Sequence, residues 1–512
     1  MKDDTTPVFD DVQRIVLRGG AAPTTGWRAS THLLINFGKD SPLHFISKLL
    51  VGQPDAGLPP VSANGARTSA VQVSLGFTRR GLERAYVPGY LLALLAYKAP
   101  AFHAGAARRA ARHLALTGAS AAERWDWGTV AQDGKSAAFR FDAFDAVLSL
   151  HGPNDAALAE PLDAVRDLAE RSAMLLAELP RGGALPAPAE FAAATSAPCT
   201  GPGQWVHFGY LDGLSKTGIK GVTSAQTLAA LKPQSCHEAG EFVLGHVQDS
   251  GGNPWVAGPG LRVWPEDART FFFNGSFGVL QLIEQDVAAF ERYVNEAAIE
   301  TGLSPFDVKG TLCGRTPDGH PLAAPESGGN DFDYAQDLAG RRCPFGSHVR
   351  RMNPRLPLDA NGKVLFDEQA VVPQPSHFSR RRPLLRRGMP YGPAWTAESD
   401  APPSRRGLIG HFFCASIEEQ FEHLLGEWAD RVAIGSPDRG GARDPFIGAH
   451  ERGDGRFDLP QATGGRSRSL PAMTSFTRTR GCAYLFYPSL GTLSGIAGSA
   501  LWTKDLYEGD DA

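Results

Sequence analysis

A basic loop with one histidine at its centre is the stretch of this chain best suited to chemistry. It runs from Arg342 to Arg355 and reads RCPFGSHVRRMNPR, so that His348 stands among cations, amides and a single thiol. An imidazole in such surroundings could be the axial ligand of an iron whose bound group carries carboxylates that face the arginines. A solvated surface loop explains the same residue types. The loop alone leaves both interpretations open.

The second candidate is Asp212, in the turn sequence FGYLDGLS. Gly209 and Gly213 stand on either side of it, and glycines let the backbone turn tightly and leave room beside a carboxylate. Asp-Gly is also among the commonest turn dipeptides. An ordinary surface turn is therefore the competing interpretation.

The third candidate is Arg386, which follows the apolar pair Leu384-Leu385 and the basic run 380–382. The apolar pair suits a strand end that carries a guanidinium into a cavity. A solvated basic edge strand and a nucleic-acid patch are the alternatives. Nucleic acid is the least favoured of the three, because 51 Lys and Arg balance 55 Asp and Glu and no aromatic residues interleave the arginines.

Composition narrows the class of protein. Six scattered cysteines without a C-x-x-C motif argue against a disulfide framework, a zinc ribbon and a covalently attached c-type haem. No apolar run approaches the roughly 20 residues that a membrane helix needs. The amino terminus reads MKDDTT and has no apolar signal core. These features predict a cytoplasmic protein without a membrane partner.

The hydrophobic pattern predicts an α+β architecture of sheets covered by helices. Strands are predicted at residues 12–17, 33–37, 71–77 (half-buried), 139–141, 146–150, 277–283, 408–414 and 482–487. Helices are predicted at 79–94 with a break at Pro88-Gly89, at 162–179, at 287–298, and from Ser416, which forms a capping box with Glu419. Residues 180–203, rich in Ala, Pro and Gly, are predicted to be a linker or a long loop.

Taken in order along the chain, the three candidate segments resemble the dye-decolourising peroxidase family, most closely its larger fungal-type and related bacterial branch. The resemblance runs from about Val12 to Leu501. Its motifs are Gly209-x-x-Asp212-Gly213, the loop around His348, the sequence LRRGMPYG around Arg386, and blocks such as GEFVLG from Gly240 and SIEEQFE from Ser416.

This resemblance implies a fold and a cofactor. The fold would be two ferredoxin-like α+β halves of the dimeric α/β-barrel type, with residues 1–265 carrying the Asp212 loop and residues 266–512 carrying the haem ligand. The cofactor would be one haem b per chain. The resemblance implies His348 as the iron ligand, Asp212 as the distal carboxylate and Arg386 as the distal arginine. Gly388 stands where some members of the family carry Asn or Ser.

Three further residues are candidates for holding the cofactor. A ligating histidine usually donates its second N–H to a carboxylate or carbonyl, and the resemblance implies Asp444, by its position relative to the family pattern, as the candidate partner of His348. A structural Asp-Pro turn is the alternative there. Arg350 and Arg355 are candidates for contacts with the haem propionates, with exposure to solvent as the alternative. Cys343 is interpreted as a small packed residue rather than a ligand.

The implied function is oxidation of bulky dyes and phenolic compounds by hydrogen peroxide. In that role Asp212 would move protons and Arg386 would stabilise developing charge, so activity should be highest on the acid side of neutral. A haem-binding or transport protein and a deferrochelatase-like enzyme that releases iron from haem are the alternatives. The oligomeric state and the physiological reductant stay open.

Overall fold

The computed structural model describes residues 9–18, 27–38, 41–65, 69–131, 143–188, 204–215, 217–231, 235–255, 266–323, 334, 337, 340–352, 382–396, 405–430, 443–450, 453, 455–459 and 468–498. Arg355 and the predicted strand at 139–141 lie outside the described residues.

Most strands join one eleven-stranded sheet that closes on itself. The strands are β1 Ala29–Asn36, β2 Gln72–Phe77, β3 Val130–Ala131, β4 Ala146–Gly152, β5 Leu175–Glu178, β6 Gly182–Gly183, β7 Gln204–Trp205, β8 Leu211–Asp212, β9 Gly218–Ile219, β10 Cys236–His237, β11 Ser276–Gln285, β12 Leu385–Arg386, β13 Met389–Tyr391, β14 Gly407–Cys414, β15 Gly455–Leu459, β16 Arg468–Met473 and β17 Thr477–Tyr487. The order β1-β4-β2-β17-β11-β14-β13-β6 returns to β1 through antiparallel pairs. The sheet therefore forms a closed eight-stranded barrel, and β3, β5 and β12 pair beside it.

Strands from both predicted halves contribute to the barrel. They meet where Phe77 of β2 pairs with Phe486 of β17, and where Gly182 of β6 pairs with Tyr391 of β13. The predicted division at residue 265 stays a prediction, because residues 256–265 lie outside the described chain. The predicted α+β class is confirmed.

Helices surround the barrel. They are α1 Arg14–Leu17, α2 Leu43–Val51, α3 Arg79–Arg84, α4 Gly89–Lys98, α5 Pro100–Ala104, α6 Ala106–His113, α7 Asp155–Arg171, α8 Ala225–Ala230, α9 Glu266–Phe272, α10 Val287–Thr301, α11 Pro305–Cys313, α12 His348–Met352, a π-helix Ile417–Ala429, and α13 Leu490–Ala497. One half of the predicted capping box is present, because the Ser416 hydroxyl accepts a hydrogen bond from the Glu419 N–H at 3.1 Å. The other half differs from the prediction, since the Ser416 N–H donates to Oε1 of Gln420 at 2.9 Å and not to Glu419. Of the helices that the structure describes, none has the length and apolar character of a membrane span, and the cytoplasmic location stays a prediction.

Successive side chains of each strand face opposite sides of the sheet, and both sides are covered. Leu34 of β1 packs inside the barrel with Leu280 and Phe413, whereas Leu33 packs outside among the helices. The prediction that strand 71–77 is half-buried was wrong, because Gln72 and Ser74 face the barrel interior and not solvent. Alternating polar residues in a sequence do not show whether that face of the strand is exposed to solvent or lines a polar interior.

Two further predictions of elements were wrong. Residues 14–17 form the short helix α1 and not a strand, since a brief apolar run does not distinguish a buried helix from a strand. The helix predicted over 162–179 ends at Arg171, the chain turns through Ala173 at φ 53°, and β5 begins at Leu175. Pairing of β5 with β1 outweighs the helical spacing of its leucines.

Candidate active site

His348 is the first residue of α12 and lies beside a buried carboxylate. Its Nδ1 atom is 2.8 Å from Oδ2 of Asp444. The Asp444 side chain is fully buried, while a quarter of the His348 side chain is exposed. The hydroxyl of the preceding Ser347 donates to the Thr311 carbonyl at 2.6 Å and fixes the start of the helix. The protein therefore holds one nitrogen of His348, while part of the side chain is open to solvent.

Asp444 is held on every side. Its Oδ1 atom accepts hydrogen bonds from the N–H groups of Phe446 at 2.9 Å and Ile447 at 3.0 Å. Its own N–H donates to the Ala429 carbonyl at 2.7 Å, and its carbonyl lies 2.7 Å from Nε2 of His450. The two interpretations of Asp444 are thus compatible, because this residue both begins an Asp-Pro turn and contacts His348.

The ionisation of Asp444 follows from its neighbours. Burial alone would raise the pKa of this carboxyl, but its interaction with His348, the charge of Arg351 and the hydrogen bond from the Phe446 N–H hold the pKa below its usual value. An ionised carboxylate only accepts hydrogen bonds, so the Nδ1–H of His348 donates to it. That tautomer leaves the lone pair of Nε2 for a ligand.

Arg350 points into the protein. Its Nη1 atom is 2.9 Å from Oδ2 of Asp337 and 2.6 Å from the Cys343 carbonyl. The guanidinium lies between the rings of Tyr334 and Phe345, at 4.2 and 4.3 Å from their centroids. Arg350 thus organises the loop before His348. Its contact with a haem propionate stays a prediction to which this buried ion pair lends no support.

Asp337 and Cys343 complete the loop. The Asp337 carboxylate also accepts from the N–H groups of Arg341 at 2.7 Å and Cys343 at 2.9 Å. Cys343 is 1% exposed, and burial raises the pKa of its thiol to about 11. A thiol that stays protonated is a poor metal ligand. Cys343 is packed, as predicted.

Arg351 joins α12 to the π-helix. Its Nε atom donates to the Trp428 carbonyl at 2.9 Å and its Nη2 atom to the Ala429 carbonyl at 3.3 Å. These are carbonyls of the last turn of the π-helix, where a cation is favourable. Burial lowers the pKa of Arg351 to about 10.

Asp212 stands at the end of the short strand β8, which pairs with β7. Gly209 and Gly213 have φ values of 80° and 81°, so both glycines adopt the left-handed conformation that tight turns favour. The Leu211 N–H donates to the Pro317 carbonyl at 2.9 Å. The carboxylate is 44% exposed.

Arg386 faces Asp212. It ends β12, which pairs with β14 opposite Phe412, and its Nη2 atom lies 3.7 Å from Oδ1 of Asp212. The guanidinium is 51% exposed, so the two charged groups form an open pair that a small substrate can reach. The structure thus brings together two candidates that lie 174 positions apart, the difference between 386 and 212.

Three residues that sequence reasoning missed tie the two segments together. Nε2 of Gln204, in β7, donates to the Gly388 carbonyl at 3.4 Å. Nε2 of His207 lies 2.8 Å from the Tyr391 carbonyl. Gly388 itself allows β12 to approach β14, because a Cβ atom there would lie 2.5 Å from the Ile409 carbonyl oxygen. Nothing in the types or spacing of Gln204, His207 or Tyr391 signals this arrangement.

Phe446 connects the two parts of the site. Its ring centroid is 5.5 Å from that of His348, 5.7 Å from that of Tyr210 and 5.9 Å from that of Phe208. The turn that holds Asp444 therefore contacts both the His348 ring and the loop that carries Asp212. His348 and Asp212 belong to one region of the protein.

The donor set fits a haem with one protein ligand on iron. His348 offers a neutral imidazole whose second nitrogen is bonded to a buried carboxylate, the usual environment of a ligating histidine. A cation and a carboxylate stand in the same region and are open to a small molecule. Arg350 is occupied elsewhere, and Arg355 lies outside the described residues.

Comparisons with known proteins point to one family. The chain is 27% identical over 324 residues to the dye-decolorizing peroxidase msp1 of Mycetinis scorodonius, covering 57% of this chain and 56% of that protein. It is 29% identical over 239 residues to the multifunctional dye peroxidase DyP2 of Amycolatopsis, covering 43% and 49%. The chain thus spans about half the length of the curated relatives it matches. No family model matches the chain.

Solved structures match over nearly the whole chain. The DyP-type peroxidase of Auricularia auricula-judae superposes with a TM-score of 0.68 at 20% identity, covering 96% of this chain and 99% of the other. DyP2 of Amycolatopsis gives 0.64 at 22% identity, covering 95% of each. A third, at 0.68 and 20% identity, covers 96% and 99% and is described by its engineered heme pocket.

The closed barrel with helices outside is therefore the fold of the dye-decolorizing peroxidases, and the predicted ferredoxin-like α+β fold is confirmed. With the sequence matches, the chain is similar to dye-decolorizing peroxidases in both sequence and fold.

Proposed function

We propose that this protein is a haem peroxidase that uses hydrogen peroxide to oxidise bulky aromatic dyes and phenolic compounds. The names of the relatives support this activity, and the open pair of Asp212 and Arg386 is the single observation that carries it. A protein that only stores or carries haem has no need of a carboxylate and a guanidinium facing each other in the same region. Haem b, one per chain, would supply the iron that binds peroxide and accepts its oxidising equivalents.

His348 and Asp444 would form the iron-binding side. The buried carboxylate holds the imidazole as the Nδ1–H tautomer and orients its Nε2 atom. A hydrogen bond to a carboxylate also makes the imidazole a stronger electron donor. The Phe446 ring meets the imidazole edge-on, with 66° between the two planes, and limits the rotation of the imidazole.

Asp212 and Arg386 would form the peroxide-binding side. Hydrogen peroxide must lose a proton from one oxygen and gain a proton on the other, and one ionised carboxylate can perform both transfers in turn. Arg386, always cationic, would stabilise the negative charge on the departing oxygen. Because the carboxylate must be ionised to accept the first proton and must then return it, we expect the highest rates on the acid side of neutral.

The test compares peroxide kinetics of the haem-loaded wild type, Asp212→Ala and Arg386→Leu by stopped flow. We expect the rate of reaction with peroxide to fall about 10²–10⁴-fold in each variant. The matched control is the pair of Asp126 and Arg405, which lie 2.7 Å apart with similar exposure. Asp126→Ala and Arg405→Leu should keep the wild-type rate.

The outcomes separate the candidate functions. Unchanged peroxide kinetics in both Asp212→Ala and Arg386→Leu would contradict the proposed mechanism. Haem that bleaches slowly in the wild type without oxidising a dye would favour a carrier. Porphyrin without iron among the products would favour iron release from haem.

A further inference from the structure

A cavity lies outside the barrel, between three helical segments. Its volume is about 380 Å³, and it is lined by the turn from α3 to α4, by α9 and by α13. Its apolar lining includes Val87, Phe271 and Ile496, which are all buried. Among the described residues that line it, none belongs to the candidate active site. A cavity of this size and character can hold a small organic molecule.

The apolar wall of this cavity is fixed by contacts with the barrel and between helices. The Phe271 ring stacks on Phe486 of β17, with 5.8 Å between the ring centroids and 21° between the planes. The Thr492 hydroxyl, on α13, donates to the Phe271 carbonyl at 3.0 Å. The Thr492 N–H donates in turn to the Ser489 hydroxyl at 3.1 Å. The wall is therefore formed before a ligand arrives, and binding costs little conformational entropy.

Tyr86 stands at the mouth of the cavity in a backbone conformation that is unusual for tyrosine. It follows α3 with φ 60°, lines the cavity and is 52% exposed. The N–H groups of Tyr86 and Val87 donate to the carbonyls of Glu83 at 3.2 Å and Leu82 at 3.1 Å. Glycine is the usual residue at a helix end of this kind. Because glycine would be more stable in this conformation, the exposed ring indicates a role at the cavity.

Two carboxylates belong to the same lining. Glu266 and Asp267 are exposed residues in the first turn of α9. Within the described part of the chain, neither carboxylate forms an ion pair. The Tyr90 hydroxyl donates to Asp267, and burial, this hydrogen bond and the charge of Asp267 raise the pKa of Tyr90. Acidic residues also stabilise the first turn of a helix, but here they place negative charge beside an apolar cavity.

We propose that this cavity binds an organic ammonium ion with an aromatic or branched apolar body. The body packs on the buried apolar wall, and the charged nitrogen lies at the mouth. There Glu266 and Asp267 attract the cation, and the face of the Tyr86 ring stabilises it. An anion is repelled, and a neutral molecule gains only the burial of its apolar surface. The site lies outside the proposed peroxidase mechanism and does not depend on it.

The test measures binding to the haem-loaded full chain by isothermal titration calorimetry, without peroxide. The three probes share a benzene ring and differ in charge: benzyltrimethylammonium, benzyl alcohol and benzenesulfonate. We expect benzyltrimethylammonium to bind at a single site, benzyl alcohol to bind more weakly and benzenesulfonate not to bind. A higher salt concentration should weaken the binding of the cation and not that of the alcohol, because salt screens exposed charges.

Variants of the lining locate the binding site. Glu266→Gln combined with Asp267→Asn removes both charges and keeps the size of the side chains, so the affinity for benzyltrimethylammonium should fall about 5–30-fold. Thr270→Trp places a large ring on the exposed rim of the cavity and should block entry. Asp155→Asn is the matched control, because Asp155 is also an exposed carboxylate in the first turn of a helix, α7, and does not line the cavity. It should keep the wild-type affinity.

Several results would overturn the proposed site. They are equal affinities for benzyltrimethylammonium and benzyl alcohol, wild-type affinity in the double variant, and no binding of any probe. Loss of binding in Asp212→Ala together with wild-type affinity in Thr270→Trp would assign the ammonium ion to the candidate active site instead. A wild type that binds the cation but does not consume peroxide would overturn the peroxidase function and leave this site standing.

Discussion

Nδ1 of His348 lies 2.8 Å from a carboxylate oxygen of Asp444 that no solvent reaches. The N–H of Asp444 is bonded in turn to Ala429, at the end of the π-helix. The orientation of one imidazole is therefore coupled to the packing of a 13-residue helix. Asp444 serves the site and the fold at once, and substitutions can separate the two roles.

Replacing Asp444 should affect haem binding and stability to different extents in two variants. Asp444→Ala leaves the N–H groups of His348, Phe446 and Ile447 without their acceptor, so we expect a loss of about 3–5 kcal/mol in the free energy of unfolding. Asp444→Asn keeps an oxygen for the two backbone N–H groups and should lose less. Urea unfolding of the haem-free protein measures both.

Haem titration of the same variants reports the role in the site. We expect affinity to fall about 10–100-fold when the hydrogen bond to His348 is lost. Asp163→Ala is the control, since its carboxylate is 71% exposed and pairs only with surface arginine Arg166. Wild-type haem affinity in both Asp444 variants would show that the carboxylate does not support the ligand.

Stability should fall in mild acid because of the histidines inside the barrel. Burial lowers the pKa of His32 from 6.5 to about 4. Between these pH values the unfolded chain binds a proton that the folded chain does not, so the free energy of unfolding decreases as pH falls from about 6.5 to about 4. The loss from His32 alone is about 3 kcal/mol. His151 and His411 add to it, because burial also lowers the pKa of each.

The pH dependence can be assigned with a single variant. His32→Gln removes one titrating group, so the slope of unfolding free energy against pH should decrease by about one proton in this range. His44 is exposed, and His44→Gln should leave the slope unchanged. Equal slopes for His32→Gln and wild type would exclude the buried imidazole as a source of acid sensitivity.

Gly388 should tolerate no side chain. A Cβ atom there would meet the Ile409 carbonyl at 2.5 Å, so Gly388→Ala must push β12 away from β14. We expect a loss of about 1–3 kcal/mol in unfolding free energy and slower peroxide kinetics, because Arg386 moves with the strand. Gly89→Ala is the control, since no atom lies within 4 Å of a Cβ there. Equal thermal stability of the two variants would contradict the close approach.

Local sequence pointed to the candidate residues for chemistry but not to the residues that hold them in place. His348, Asp212 and Arg386 stand in distinctive motifs, and the order of these motifs along the chain resembles that of dye-decolorizing peroxidases. The partner of Arg350 could not be found, because Asp337 has no motif and meets it only through the folded loop. The strand Gln72–Phe77 looked half-exposed for a similar reason, since the polar interior that it faces exists only after the barrel closes.

We expect Arg387 to be as important for the position of Arg386 as any residue in the candidate site. Its half-buried side chain donates to the carbonyls of Ile15 and Val16 at 3.0 Å each, which ties β12 to α1. Burial lowers the pKa of Arg387 to about 10, so the charge persists at neutral pH but depends on those carbonyls. Arg387→Leu leaves two buried acceptors unbonded, at about 1–3 kcal/mol each.

Arg387→Lys tests whether Arg387 acts by fixing the position of the strand or only by its positive charge. A lysine keeps the charge but cannot reproduce the planar fork of donors. We therefore expect both variants to lower the melting temperature and to slow the reaction with peroxide, with Arg405→Leu unchanged as the surface control. A wild-type rate of reaction with peroxide in a folded Arg387→Leu variant would contradict this role. It would mean that the pairing of β12 with β14 alone holds Arg386 in position, without the hydrogen bonds of Arg387.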